Sequence, residues 1–332
     1  MRDGPRPQRF ACTFLSQRPG RKGLSSDPRE TPVLLSIITP TLNRRTMLAE
    51  ALASVAAQRR DNVEHIVVDG GSTDGTLEML AAHPHIKVLQ DRRRGLYDAI
   101  NQGIDAASGA VIGLLNSDDL YAPGIFEVVE AAFTAHPEAD AVCGIAELFD
   151  ETGTLARFDD PTDLRLDAHA VLIGNCIPNA RFFRRSVFTK IGLFSTSYRA
   201  VADREFLART MIADVQTLPL DSLAYRYRRH PGSLTLADRA ERGKTFRTEL
   251  LRLALNIARH PRATDELRVK ARALEGRCLA TLGLDRLKAG DPLGAARLLI
   301  ATDGRPASAS FRALVAGFLD RRRPSRKSHP AP

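Results

Sequence analysis

Short runs of apolar, mostly β-branched residues alternate with stretches of helical periodicity through the first 150 positions, and no other feature constrains the fold as much. The runs are Leu34–Thr41, Val63–Val68, Ile86–Gln90 and Ala110–Leu115, followed by Ala141–Phe149. Between them lie Met47–Gln58, with Leu48, Leu52, Val55 and Ala56 on one stripe, and a shorter helix from Thr73 or Asp74 to about Ala82. Gly95–Ala107, with Leu96, Ile100 and Ile104, and Gly124–Ala135 complete the series. Strands that are apolar at nearly every position are buried on both faces. The pattern therefore predicts an α/β fold whose mostly parallel sheet is flanked by helices.

In such a sheet, ligands bind beyond the carboxyl ends of the strands. Three polar clusters stand there: Thr39–Asn43, Asp69–Asp74 and Asn116–Asp119. The first holds no glycine, so the G-x-G-x-x-G turn of a dinucleotide site is missing, and no G-x-x-x-x-G-K-[ST] occurs. Hydride transfer and P-loop chemistry are disfavoured. In VVDGGSTDGT, Asp69 either accepts hydrogen bonds from a nucleobase or ribose, or the segment is simply a capped helix start after a tight turn, since Ser-x-Asp clusters cap helices. Asp118 and Asp119, adjacent carboxylates after a buried strand, either hold a hard divalent ion or cap the helix that follows Pro123. Asn43 is read as the cap of the helix behind it.

Past Asp150 the alternation fades. Gly174–Pro178 reads as loop, Ser186–Ile191 and Asp203–Ile212 as helices, and Val215–Tyr227 as strand pieces around Pro219. From Asp238 to Leu319 the periodicity is helical, broken only near His260-Pro261, Gly290–Pro292 and Gly304–Pro306, which predicts a small all-helical C-terminal appendage of three to five helices. Leu279–Lys288 and Pro292–Ile300 resemble one tetratricopeptide-type unit, with plain helical packing as the simpler reading.

The net charge of +9 belongs to the ends of the chain. Residues 1–32 and 320–332 each carry +4, which leaves +1 for the rest. Both ends read as disordered basic tails, and no basic face is left for nucleic acid. Arg181, Arg184 and Arg185 interleave with Phe182 and Phe183, but the Phe pair reads as core. No apolar stretch approaches bilayer length. The four cysteines, Cys12, Cys143, Cys176 and Cys278, lack metal-ligand spacing and read as thiols of a reducing compartment.

The ordered motifs SIITPTLN, VVDGGSTDGT, GLYDAINQGIDAASGAVIGLLNSDDLY, FFRRSVFTKIGLF and VADREFLAR resemble family 2 glycosyltransferases of the GT-A fold, most nearly those of bacterial polysaccharide assembly. The resemblance covers about residues 33–235, with the helical region at 236–319 and both tails outside it. It implies a nucleotide-sugar donor, UDP-linked, and Mg²⁺ or Mn²⁺ as cofactor. The acceptor would be a glycan or lipid-linked, met in the cytoplasm or at the inner face of the cytoplasmic membrane, where the tails can touch anionic lipid. It also implies roles for residues here. Thr39, Pro40, Thr41 and Asn43 form the first nucleotide loop, Asp69, Gly71 and Ser72 read the base, and Arg94, Gly95, Asp98 and Asn101 face the donor sugar. Ser117 and Asp118 meet the diphosphate, Asp118 and Asp119 bind metal, and Asp203 is the catalytic base of an inverting transfer. Arg228 and His230, in YRYRRHPGS, form a diphosphate flap, or else a basic run on a strand. Two positions depart from the family pattern: Leu42 replaces an aromatic that packs on the base, and Asn116 replaces the first Asp of Asp-x-Asp. Two other readings stay open. A nucleotidyltransferase would want a glycine-rich loop after the first strand, and a scaffold with a degenerate site would not keep Asp69, Asp118, Asp119 and Asp203.

Overall fold

A computed structural model describes residues 35–92, 94–174, 177–232 and 239–300. The two basic tails, Cys12, Cys176 and the Gly304–Pro306 breaker lie outside the described residues.

The first half follows the predicted alternation. β1 (Leu35–Thr41), α1 (Arg45–Ala56), β2 (Val63–Asp69), α2 (Thr76–Ala81), β3 (Ile86–Gln90), α3 (Leu96–Ala106) and β4 (Val111–Leu114) succeed one another. The pairings β3–β2, β2–β1 and β1–β4 are all parallel. β5 (Leu120–Tyr121), α4 (Ile125–Ala135), β6 (Ala141–Asp150) and the hairpin strand β7 (Gly153–Phe158) follow. Then come α5 (Pro161–Leu164), α6 (Ala168–Leu172), β8 (Arg181–Arg184), α7 (Arg185–Ile191), α8 (Ala202–Ile212) and β9 (Thr217–Arg228). The sheet order is β3-β2-β1-β4-β8-β6-β9-β5, with β7 on β6. The nucleotide half is wholly parallel, whereas β8 runs antiparallel between β4 and β6. Pro219 does not split β9. It pairs opposite Cys143, where the β6–β9 register slips, an irregularity that accommodates a residue without an N–H.

Successive strand residues face opposite sides of a sheet. The neighbours Phe182 and Phe183 of β8 accordingly enter different cores. Phe182 joins Tyr121, Phe126 and Tyr225 beneath α1 and α4. Phe183 joins Phe188, Phe194 and Phe206 on the opposite face. Arg181, beside them, is fully buried and donates to the carbonyls of Leu164 and Asp163 at 2.9 and 2.8 Å. The basic–aromatic segment is structural. Gly103 of α3 lies against β1 so closely that a methyl group there would come within 2.3 Å of Ile38 Cγ2.

The helical region comprises α9 (Arg239–Arg259), α10 (Asp265–Lys288) and α11 (Pro292–Ile300). Thr264 caps α10 by accepting the Leu267 N–H at 3.2 Å. α10 begins at Asp265, so the segment from Leu279 is its second half and not a short repeat helix. The region is also less separate than an appendage. Leu250, Leu253, Ala254 and Ile257 of α9 share one core with Phe194, Val201 and Phe206, as do Leu267 and Leu274 of α10. The boundary near residue 236 divides the sequence but not the core. No described helix is long and apolar enough to cross a membrane. Cys143 and Cys278 are buried thiols.

Candidate active site

The carboxyl ends of β1, β2 and β4 lie side by side because the strands pair in parallel, Thr41 opposite Asp69 and Ile38 opposite Leu114. Asn43, just past β1, takes a left-handed backbone (φ 52°) that Asn tolerates. It does not cap α1. Its N–H donates to Ser72 Oγ, and its Oδ1 accepts the Thr73 N–H, both at 2.8 Å. Asp74 does the capping from the second loop by accepting the Arg45 N–H at 3.0 Å. The Asp74 side chain also bonds Thr76, so α2 starts later than its sequence suggests. The first two loops are thus stapled together.

Asp69 is buried and caps its own turn. Its Oδ1 accepts the Gly71 and Ser72 N–H groups, both at 2.9 Å, and its Oδ2 accepts the Ser72 hydroxyl at 2.6 Å. Gly71, at φ 88°, supplies the left-handed turn residue. A carboxylate offers about four lone-pair sites, and three are used here. Asp69 holds the turn and Asp74 accepts the N–H at the start of the following helix, while one acceptor site of Asp69 remains. Leu42 is 54% exposed at this edge and lies beside Gly70, where a methyl group would come within 3.3 Å of it.

The threonines of the first loop divide. The Thr39 hydroxyl is buried in the sheet and shares a 2.9 Å hydrogen bond with His65 Nε2, so only its backbone can serve a ligand. His65 is held neutral, its pKa pushed down to about 3 by burial first and by His85 second. Pro40, between the threonines, is a buried strand residue opposite Val68. Thr41 is buried too, and among the described residues its hydroxyl has no hydrogen-bond partner. A buried hydroxyl at a ligand edge that lacks a partner marks a place where a ligand can supply one.

At the end of β4 the two aspartates separate. Asp119 is fully buried and accepts from Tyr225 Oη (2.6 Å), Asn116 Nδ2 (2.9 Å) and the Arg228 N–H (2.7 Å). Burial, and then the neighbouring Asp118, push its pKa up to about 7, against those three donors. Asp119 is a structural tie between β4 and β9, and the expectation that it binds metal is corrected. Asp118 keeps an accessible carboxylate, 2.9 Å from His230 Nε2. Ser117 beside it is buried. Asp118 and His230 together offer one oxygen and one nitrogen, and among the described residues no group of three or more His, Cys, Asp or Glu could hold an ion alone. A divalent ion that takes one or two protein ligands and fills its shell from a diphosphate fits this donor set.

Arg228, expected over the diphosphate, is tied down. Its Nε donates to the Asp118 carbonyl at 2.9 Å, its guanidinium pairs with Glu50, and it lies 4.9 Å above the Phe149 ring. Arg226 pairs with Glu147 and Arg229 with Asp150. The basic run is a strand surface, and His230 is the member of it whose side chain meets the Asp118 carboxylate.

Of the residues expected to face the donor sugar, Arg94 is exposed, Gly95 (φ 107°) opens α3, and Asp98 accepts from the Gln102 amide at 3.0 Å. Asn101 is committed elsewhere. Its amide bonds both backbone groups of Phe194, at 2.8 and 3.0 Å, so it fastens a loop and is not open to the donor.

Asp203 stands half-buried in the first turn of α8. Its Oδ1 accepts the Arg204 N–H at 2.7 Å. Burial raises its pKa above the ordinary carboxylate range, partly offset by the Arg204 N–H and guanidinium and by the Tyr97 hydroxyl. Tyr97, in the first turn of α3, is thus close to the first turn of α8. Glu205, one turn before Arg209, pairs with it at 2.8 Å, and Arg209 holds the carbonyls after α7, so Glu205 is scaffold. Sequence reasoning quoted Tyr97 within GLYDAINQG without singling it out. Its place two residues after the glycine that opens the helix was the available signal. Tyr225, which ties Asp119, Asn116 and Asn179 together, was likewise hidden in an alternating Tyr/Arg strand.

The family model described as Glycosyl transferase family 2 matches residues 36–192. A PGL/p-HBAD biosynthesis glycosyltransferase of Mycobacterium bovis is 34% identical over 182 residues, covering 53% of this chain and 69% of that protein. An uncharacterized glycosyltransferase of Mycobacterium tuberculosis is 33% identical over 184 residues, 54% of this chain and 69% of its own. Among solved structures, S. aureus TarS 1–349 in complex with UDP-GlcNAc superposes with a TM-score of 0.61 at 19% identity, over 84% of this chain and 83% of that one. The chain spans 43% of a longer TarS chain. The mannosyltransferase PcManGT of Pyrobaculum calidifontis, solved with GDP-Man and Mn²⁺, gives 0.53 at 18% identity, over 90% and 82%. At these identities the structural likeness speaks for the GT-A fold.

Proposed function

The chain belongs to glycosyltransferase family 2, and from that premise we propose that it moves a sugar from a UDP-linked donor to a glycan or lipid-linked acceptor, with inversion at the anomeric carbon. One juxtaposition carries the reading. Asp203, in the first turn of α8, is close to Tyr97 in the first turn of α3, and α3 starts on the strand-carboxyl side of the sheet, where the loops after β1, β2 and β4 also lie. The nucleobase lies between Leu42 and the remaining acceptor site of Asp69, and the Thr41 hydroxyl gains its partner from the nucleotide. The diphosphate lies by Ser117, Asp118 and His230, with Arg94, Gly95 and Asp98 toward the sugar. Mg²⁺ or Mn²⁺ held by Asp118 and His230 would offset the charge that develops on the departing diphosphate.

Asp203 takes the proton from the acceptor hydroxyl as the new C–O bond forms and the diphosphate leaves in line. General-base help of this kind is worth ~10²–10⁴ in rate. A raised pKa suits the role, because a more basic carboxylate accepts a proton more readily. The relative in PGL/p-HBAD biosynthesis, the UDP-GlcNAc bound to TarS, and the Mn²⁺ and GDP-Man bound to PcManGT support a nucleotide-sugar donor and a divalent ion. With such an acceptor the protein would act at the inner face of the cytoplasmic membrane, its basic tails toward anionic lipid.

The test is a thermal-shift panel of UDP-, GDP-, dTDP- and CMP-linked sugars, each with and without Mn²⁺. A ligand at ~100 times its Kd stabilises the fold by ~2.7 kcal/mol. A metal-dependent shift with the UDP sugars is expected. No shift with any of them at millimolar concentration would overturn the reading, and a shift with another base alone would reassign the donor.

A further inference from the structure

The loop that leads into the base is held by the helical region, outside the stretch that the family model matches. Residues 195–201 run from the Phe194 core to the start of α8 and have no regular structure to fix them. α9 supplies what they lack. Glu249, buried, accepts the Arg199 N–H on one carboxylate oxygen and the Ala200 N–H on the other, both at 2.8 Å. Three residues on, Arg252 donates to the Ser197 carbonyl at 2.7 Å and lies 3.9 Å above the Tyr198 ring. One further turn along, the Asn256 amide donates to the Tyr198 hydroxyl at 3.1 Å. Positions 249, 252 and 256 share one helix face, so a single stripe of α9 clasps four consecutive loop residues.

The clasp ends two residues before the base helix. Ala200 is followed by Val201, fully buried in the common core, and then by Ala202 and Asp203. On the other side Tyr97, stacked on Phe194 at 5.9 Å, is close enough to Asp203 to influence its ionisation. Glu249 is near enough to Tyr97 that its charge, after burial and Asp203, helps to push the phenol well above its ordinary pKa. The loop that leads into Asp203 is thus held at its N-terminal side by the Glu249 clasp, and Tyr97 of α3 lies close by.

A buried carboxylate is costly unless paired or bonded, and its ionised form is stabilised by donors aimed at it. Two N–H groups of one loop, one on each oxygen, make such a pair of donors. We propose that Glu249 is a positioning residue for the transfer, and that the helical region is a wall of the active site. The inference rests on Asp203 being the base. Glu249 acts through the backbone at 199–200 and touches no substrate.

Glu249→Gln keeps the volume and one acceptor but turns an N–H toward a loop N–H. Two measurements test the proposal on the full chain. The first is backbone hydrogen exchange over residues 197–203. The second is nucleoside diphosphate release from UDP-glucose and UDP-N-acetylglucosamine with Mn²⁺, alongside the Kd for UDP. Expected are exchange at 199–200 at least tenfold faster, kcat at least tenfold lower, and a UDP Kd within twofold of the parent. A merely structural residue would lower Tm and leave kcat of the folded protein intact. That outcome, or unchanged exchange, overturns the proposal. Should Glu249→Gln fail to fold, Arg252→Gln loosens the same loop at Ser197, and a folded form with parental kcat overturns it equally. Asp203→Asn in the same assays separates the two readings. If it retains activity, the base assignment fails. If it is inactive while Glu249→Gln keeps parental kcat, only the positioning role fails.

Discussion

Replacing Thr41 with valine should stabilise the protein and weaken its ligand. The Thr41 hydroxyl is buried at the end of β1 and, among the described residues, meets no hydrogen-bond partner. An unsatisfied buried hydroxyl costs ~1–3 kcal/mol by mutational measures. Valine has nearly the same shape, is favoured in strands, and leaves the Thr41 carbonyl free to accept the Gly70 N–H as before. The ligand-free variant should gain about 1–2 kcal/mol, or roughly 2–4 °C in Tm for a chain of this size. If the nucleotide supplies the missing partner, the variant loses one hydrogen bond of ~0.5–1.5 kcal/mol on binding, which weakens UDP about two- to tenfold. Calorimetric unfolding and UDP titration measure the two effects on one preparation. A fall in Tm would mean that the hydroxyl is satisfied in the folded protein. A raised Tm with unchanged UDP affinity would mean that it does not face the nucleotide.

Asp118→Ala should remove the Mn²⁺ dependence of UDP binding, and EDTA should do the same to the parent; UDP binding that ignores both would exclude an ion on Asp118 and His230. Gly103→Ala should lower the unfolding free energy by roughly 1–2 kcal/mol, read from denaturant titration, because overpacking against the fully buried Ile38 outweighs the better helix propensity of alanine. His65 has a folded pKa near 3, below its ordinary 6.5, so it contributes stability that is present above about pH 6.5 and lost as pH falls toward 3. By pH 4.5 the loss is roughly 2–3 kcal/mol, and His65→Gln should flatten the acid limb of the Tm–pH profile by that much.

The strands of the nucleotide half were legible because burial on both faces removes the polar positions that would blur them. β2 and β3, for example, begin where the apolar pattern begins. The strand-end clusters were legible for a related reason, since polar residues directly after buried strands must meet solvent, one another or a ligand. Partner choice could not be read in this way. Thr39 and Thr41 stand two residues apart in one strand, yet one hydroxyl is taken by His65 and the other has no partner among the described residues. Asn101 and Arg228 carry the right chemistry for a donor site but are taken by Phe194, Glu50 and the Asp118 carbonyl, residues distant in sequence. Asp118 and Asp119 are adjacent, and only the position of Tyr225 on β9 makes the second one structural. The short elements β7, β8, α5 and α6 were missed because four to six residues carry too little periodicity to read. The bond between Glu249 and residues 199–200 spans about fifty positions and leaves no local mark.

Asp203→Asn tests the central claim most directly. Asparagine can still accept the Arg204 N–H, so Tm should stay within about 2 °C, and UDP should bind within twofold of the parent. The catalytic constant for nucleoside diphosphate release should fall at least 100-fold, the lower range of general-base help. Parental turnover in a folded, UDP-binding variant would contradict the account. Loss of UDP binding together with turnover would move Asp203 from the acceptor side to the donor site.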